Sequence, residues 1–128
     1  MIEYVLNGPA DNEELNALFG DAWPNHRWTD FGPILESSLI HVLAYESDKA
    51  VGFIRVSGCG SVRGFVFGPT VHPDVQRQGV GTALLNEASS AAKEQGVKTL
   101  HVEIAPGLRG FYSRAGFEPT AAAVRHLA

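Results

Sequence analysis

The chain has 128 residues, 45% of them apolar and 19% charged, with a net charge of -4 and a single cysteine. That length suits one domain over residues 1–128, and the composition is that of a soluble globular protein rather than a disordered one. No apolar run approaches the roughly 18 residues of a membrane span, no cluster of Lys or Arg points to nucleic acid, and a lone cysteine excludes an internal disulfide. Met1 to Val5 lacks a basic stretch leading into an apolar run, so the expectation is a cytoplasmic protein with no signal peptide and no membrane partner. The acidic balance suits a cationic small substrate.

Ile2 to Leu6 alternates apolar and polar residues and runs into Asn7-Gly8-Pro9, a strand closed by a turn. Asp11 with Glu14 three residues on is a capping box, opening a helix that carries Leu15, Leu18 and Phe19 and stops near Gly20 or Trp23-Pro24. A second helix is expected within Asp30 to Ser38. Leu39 to Glu46 and Ala50 to Ser57 form a hairpin around Ser47-Asp48-Lys49, and Ser57 to Ser61 reads as a loop.

Arg63 to His72 is the next strand, and Gly68-Pro69 inside it predicts either a bulge or an irregular edge, because glycine and proline fit a regular central ladder poorly. Val80 to about Gln95 carries a helical stripe of Val80, Ala83, Leu84, Ala88, Ala91 and Ala92, closed by Gly96. Thr99 to Ile104 reads as a strand, Leu108 to Ala115 as a short helix stopped by Gly116, and Phe117 to Leu127 as one or two last strand segments. The fold class is therefore mixed α/β (α+β): a mostly antiparallel sheet of six to seven strands, about four helices, and a parallel pair from the strand-helix-strand crossover at 63–104.

Gln76-Arg77-Gln78-Gly79-Val80-Gly81 joins a strand to a helix. The first N–H groups of a helix lack intrahelical partners and carry the positive end of its dipole, and glycines there admit a phosphate close to the main chain. The third glycine of a dinucleotide fingerprint is Leu84 here, and the Gly-Lys-Ser/Thr of a Walker loop is missing. On these glycines alone, a phosphate site and a plain tight turn remain equal readings.

Val71 to Leu85 closely resembles the acetyl-CoA motif of the GNAT superfamily of N-acetyltransferases, and Phe111-Tyr112-Ser113-Arg114-Ala115-Gly116-Phe117 resembles that family's later Phe-Tyr-x-x-x-Gly-Phe signature. The resemblance implies acetyl-CoA as co-substrate, no metal, and a splayed parallel strand pair. Pantetheine would lie alongside Pro69, Thr70 and Val71, and the pyrophosphate over Arg77, Gln78, Gly79, Val80, Gly81 and Thr82. It implies Tyr112 as the acid that meets the departing thiolate; without the motif, Tyr112 reads as a buried aromatic whose hydroxyl has found a carbonyl.

Glu103 occupies a place where some relatives carry a catalytic base, and strand alternation puts His101 on its face. His72 reads as a turn histidine and Cys59 as a non-catalytic surface thiol. Trp23, His26, Trp28, Asp30 and Phe31 lie where relatives build an acceptor wall; the aromatics hold a cation by cation-π attraction with Asp30 as counter-charge, or simply pin a loop to the core. The implied activity is N-acetyl transfer to a primary amine, of a small molecule or else of a protein N-terminus or lysine, with a homodimer as the expected assembly. A non-catalytic acyl-CoA sensor is the competing reading.

Overall fold

The computed structural model describes residues 1–59 and 62–128. Its elements run β1 (Ile2–Leu6), α1 (Asn12–Ala22), α2 (Gly32–Glu36), β2 (Ile40–Glu46), β3 (Lys49–Cys59), β4 (Arg63–Val71), a 3-10 turn (Pro73–Val75), α3 (Val80–Glu94), β5 (Thr99–Val102) and α4 (Arg109–Arg114). The sheet has the order β1-β2-β3-β4-β5, antiparallel except for the parallel β4 and β5.

Local chemistry explains most of the boundaries. Asp11 Oδ1 accepts from the Glu14 N–H at 2.8 Å while Glu14 Oε2 accepts from the Asp11 N–H at 3.2 Å, so both orphan donors at the start of α1 are satisfied. The β2–β3 turn is set by Ser47 and Asp48, both at positive φ (48° and 69°), the twist that suits a tight hairpin. Lys49 pairs with Glu46 and belongs to β3.

Strand alternation divides the core in two. On one face Ile40, Val42, Ile54, Val56 and Val66 pack under Val80, Leu84, Leu85 and Ala88 of α3. A Cβ on Gly52 would come within 2.9 Å of Leu84 and 3.2 Å of Val80, so glycine lets α3 seat on β3. On the other face Leu43, Ala50 and Phe53 meet Leu15 and Leu18 of α1 and Phe31 beside α2. The buried stripe of α3 takes in Leu85, whereas the expected Ala83 is only partly covered.

Several expectations need correction. Among the described residues the sheet has five strands, not six or seven: residues 118–128 form no strand, because Pro119 removes a donor and Ala121 to Ala123 lack both β-branching and alternation. Val124 and Leu127 are correspondingly exposed. β5 stops at Val102, ahead of a turn through Ala105-Pro106-Gly107 whose Gly107 sits at φ 87°. β4 ends at Val71 rather than His72, and Ser57 to Cys59 extend β3, pairing with Arg63 to Phe65, instead of forming a loop. Gly60, Ser61 and the Cys59 side chain, on which the rest of the loop and thiol readings fell, lie outside the described residues. Among the described residues no helix is long and apolar enough to cross a membrane.

Candidate active site

The parallel ladder covers only Arg63 to Val66 against Thr99 to Val102, after which β4 continues alone on that side. The expected parallel pair is present, and the opening beside the second half of β4 arises because β5 has ended. Opposite, the β3 register shifts between Phe53 (partner Thr70) and Arg55 (partner Phe67), so Gly68 and Pro69 form a bulge, with Gly68 at φ 106°. The His72 N–H donates to Val51 O at 2.8 Å, on the β3 side. Ladder alternation then turns the N–H of Val71 the other way, where β5 has already ended. Its carbonyl accepts the Gln76 Nε2 at 3.3 Å, and its N–H has no partner among the described residues.

The start of α3 faces the same opening. Arg77 (φ 69°) and Gly79 (φ 79°) turn the chain, and the first intrahelical bond from the loop runs from Ala83 N–H to Gly79 O at 3.0 Å. The amides of Val80, Gly81 and Thr82 thus have no intrahelical acceptor, and no side chain among the described residues caps them. A Cβ on Gly81 would meet Pro69 at 3.5 Å and the Phe111 ring at 3.6 Å, ordinary contact distances. The fold does not require glycine there; what its absence of a side chain leaves open is the space between the helix start, the β4 bulge and α4. These donors and this cradle fit a pyrophosphate followed by an extended amide-bearing arm.

Tyr112 reaches the bulge from α4. It is 2% exposed and its hydroxyl donates to Gly68 O at 2.7 Å, with Phe111 and Phe117 packed edge-on at 5.0 and 5.5 Å. Burial raises its pKa above the ordinary tyrosine value. Glu103 follows the last residue of β5, is exposed, and makes no hydrogen bond or ion pair among the described residues. His101 stacks on Phe65 at 5.6 Å. His72 is buried: Nδ1 accepts from the Asp74 N–H at 3.1 Å and Nε2 lies 2.9 Å from Asp21 Oδ2, a pair of bonds that the neutral Nε2–H tautomer satisfies. It ties α1 to the turn after β4, as a turn histidine should.

On the opposite face of the bulge is a cavity of about 230 Å³. Phe19, Phe31 and Ile34 line it from the helical side; Phe53, Arg55 and Phe67 line it from the sheet, with Gly68 and Thr70 at its base. Of the expected acceptor residues, Phe31 lies in this wall. Trp23 is tied to it through Nε1, which donates to Thr70 Oγ1 at 3.1 Å, and His26 packs on Phe19 at 5.6 Å. Trp28 is 69% exposed and outside the lining. Asp30 is committed elsewhere: its Oδ1 accepts from Asn12 Nδ2 at 3.1 Å and Gly32 N–H at 3.0 Å, and these bonds hold its carboxyl below the usual range.

Sequence reading missed Phe53, Arg55 and Phe67. The available signal was the alternation of β3 and β4, which puts Phe53 and Arg55, and Phe65 and Phe67, on the face away from α3.

A family model described as the acetyltransferase (GNAT) domain matches residues 10–126. An uncharacterized N-acetyltransferase, ycf52-like, from Prochlorococcus marinus is 25% identical over 87 residues, 65% of this chain and 48% of that protein. The chain spans about half the length of the curated relatives it matches. A GNAT family acetyltransferase from Streptococcus pneumoniae superposes with a TM-score of 0.77 at 30% identity, covering 98% of each chain. The aminoglycoside N-acetyltransferase AAC(6')-Iy, in complex with a coenzyme A bisubstrate analogue, shares the fold at TM-score 0.79 and 19% identity, covering 100% of this chain and 98% of its own. With the matched model running through both faces of the bulge, from α1 to beyond α4, this chain belongs to the GNAT acetyltransferase family.

Proposed function

We propose that this chain is an N-acetyltransferase that moves an acetyl group from acetyl-CoA to the primary amine of a small molecule within one ternary complex. The observation that carries the reading is the two-sided bulge at Gly68 and Pro69: open amides and Tyr112 on one side, an apolar cavity on the other. Acetyl-CoA supplies an activated thioester, so that a C–N bond forms as the C–S bond breaks, the amine gives up one proton, and the sulfur leaves as a thiolate that takes one up. The α3 amides with Arg77 and Gln78 would hold the pyrophosphate, and Pro69, Thr70 and Val71 the pantetheine arm. The complex of AAC(6')-Iy with a coenzyme A analogue supports that assignment at the level of fold.

An alkyl amine of pKa about 10.4 is neutral in only about one molecule in 2,500 at pH 7, a deficit of roughly 4.6 kcal/mol. Glu103, unpartnered beyond the end of β5, takes that proton in this reading, directly or through water. The Tyr112 hydroxyl leaves Gly68 O and donates to the departing sulfur. Its raised pKa favours holding the proton, so a hydrogen bond contributes more than full transfer. A cytoplasmic location and a homodimer accompany the proposal.

The test is calorimetric. Gly81→Glu, which places bulk and negative charge at the open helix start, is expected to abolish coenzyme A binding while the protein stays folded; failure of the parent protein to bind coenzyme A at millimolar concentration would sink the reading. One observation favours a second reading, a non-catalytic acyl-CoA sensor: the Tyr112 hydroxyl is engaged by Gly68. Free-thiol release across an amine panel that includes peptides with free N-termini and lysines separates catalyst from sensor and small molecule from protein.

A further inference from the structure

Among the described residues, Arg55 is the one charged side chain in the wall of the 230 Å³ cavity. It sits on β3 directly across from Phe67 on β4, and its Cζ lies 4.0 Å from the Phe67 ring centroid. A guanidinium has five N–H donors; among the described residues one bond is made, from Nη1 to Ser38 Oγ at 3.2 Å. No carboxylate lies within 4.0 Å of it among the described residues, where the ion pairs found both belong to His72. Partial burial disfavours its charge, yet an arginine stays protonated.

The other polar groups at the base of the cavity are engaged, Thr70 Oγ1 with Trp23 and Gly68 O with Tyr112. The remaining wall is apolar: Phe19, Phe31 and Phe53 form a ring cluster with centroids 5.0 to 6.5 Å apart. A half-buried, unneutralised guanidinium beside aromatic rings calls for an anion with an apolar body.

Resting on the acetyl-transfer reading, we propose that the acceptor is an amine that also carries a carboxylate, of the kind found in an apolar α-amino acid, with the carboxylate held by Arg55 and the side chain against the three phenylalanines. This reverses the cationic acceptor suggested by the acidic composition, because an added positive charge in this cavity would face Arg55. The cavity also lies below the roughly 300–1,000 Å³ usual for drug-sized ligands, in keeping with a small acceptor.

The experiment pairs apolar α-amino acids with their decarboxylated amines, L-phenylalanine with 2-phenylethylamine and L-methionine with 3-(methylthio)propylamine. Binding is measured by calorimetry with coenzyme A present, and turnover by thiol release from acetyl-CoA. The acids are expected to lead in both by about tenfold or more, as for hydrogen bonds to a charged partner. In Arg55→Met the ratio should fall to about twofold or less, and Arg55→Lys should retain part of it; comparing ratios cancels differences in amine nucleophilicity. Equal or better amines, a ratio untouched in Arg55→Met, or no acid bound while coenzyme A still binds, each overturns the carboxylate assignment and leaves acetyl transfer standing. Loss of coenzyme A binding in the parent protein would instead remove the reading beneath it.

Discussion

Tyr112 has one hydroxyl proton and two uses for it. In the structure it holds the Gly68 carbonyl at the bulge; in the proposed reaction it meets the leaving sulfur. Tyr112→Phe separates the two. Loss of the hydrogen bond should cost about 1 kcal/mol in urea unfolding. Loss of a proton donor should lower turnover by about a hundredfold or more with coenzyme A affinity nearly unchanged. A stability loss with undiminished turnover would leave the hydroxyl as a strut only.

Tyr45 gives a pH signature elsewhere. Its hydroxyl is pushed up to about 12, first by burial and then by the hydrogen bond it donates to Glu14 Oε1 at 3.0 Å. The unfolded chain ionises near 10, so the folded state binds this proton more tightly. The contribution is whole below pH 10 and disappears as pH rises toward about 12. Urea midpoints taken at pH 9 and pH 11 should therefore fall further in the parent than in Tyr45→Phe.

At the scale of elements, α3 sets stability and the proposed coenzyme A binding against each other at one residue. Gly81 lies in the first turn, and the Cβ of an alanine there would rest at ordinary distances from Pro69 and Phe111. Gly81→Ala should stabilise the free protein by up to about 1 kcal/mol through helix propensity. The same methyl narrows the opening before the helix amides, so coenzyme A affinity should fall in calorimetry. A variant both more stable and equally tight would show that no ligand approaches this turn.

What was legible in the sequence follows the same division. Asp11 with Glu14, the turn at Ser47-Asp48 within the expected Ser47-Asp48-Lys49, most of the α3 stripe and the glycines closing α3 and α4 were readable because each is decided by residues a few positions apart. Gly68-Pro69 advertised an irregularity but not its form, since a bulge is defined by the partner strand. Arg55 against Phe67 was illegible as a pair because their register is a long-range property, and the end of β5 at Val102 was overrun because Glu103 and Ile104 continue its alternation. The motif drew attention to Tyr112, while its bond to Gly68 needed the distance between two elements.

For the whole molecule, both cores share one sheet, and His72 with Asp21 and Trp23 with Thr70 tie α1 to the region around β4. Neither face has a separate backbone to lose first, so unfolding should be a single transition. Circular dichroism and the fluorescence of Trp23 and Trp28 should report the same midpoint. The proposed donor site draws on β4 and α3 and is bordered by α4, none of which supplies it alone. Coenzyme A at about 100 times its Kd should then add about 2.7 kcal/mol and raise the Tm of a chain this size by about 10 °C, in one unbroken transition. Gly81→Glu should melt as a single transition too, with no response to coenzyme A. A ligand that split the parent's melt in two would mean that it braces only the α3 face, and the bulge would no longer serve as the wall through which donor and acceptor sites are joined.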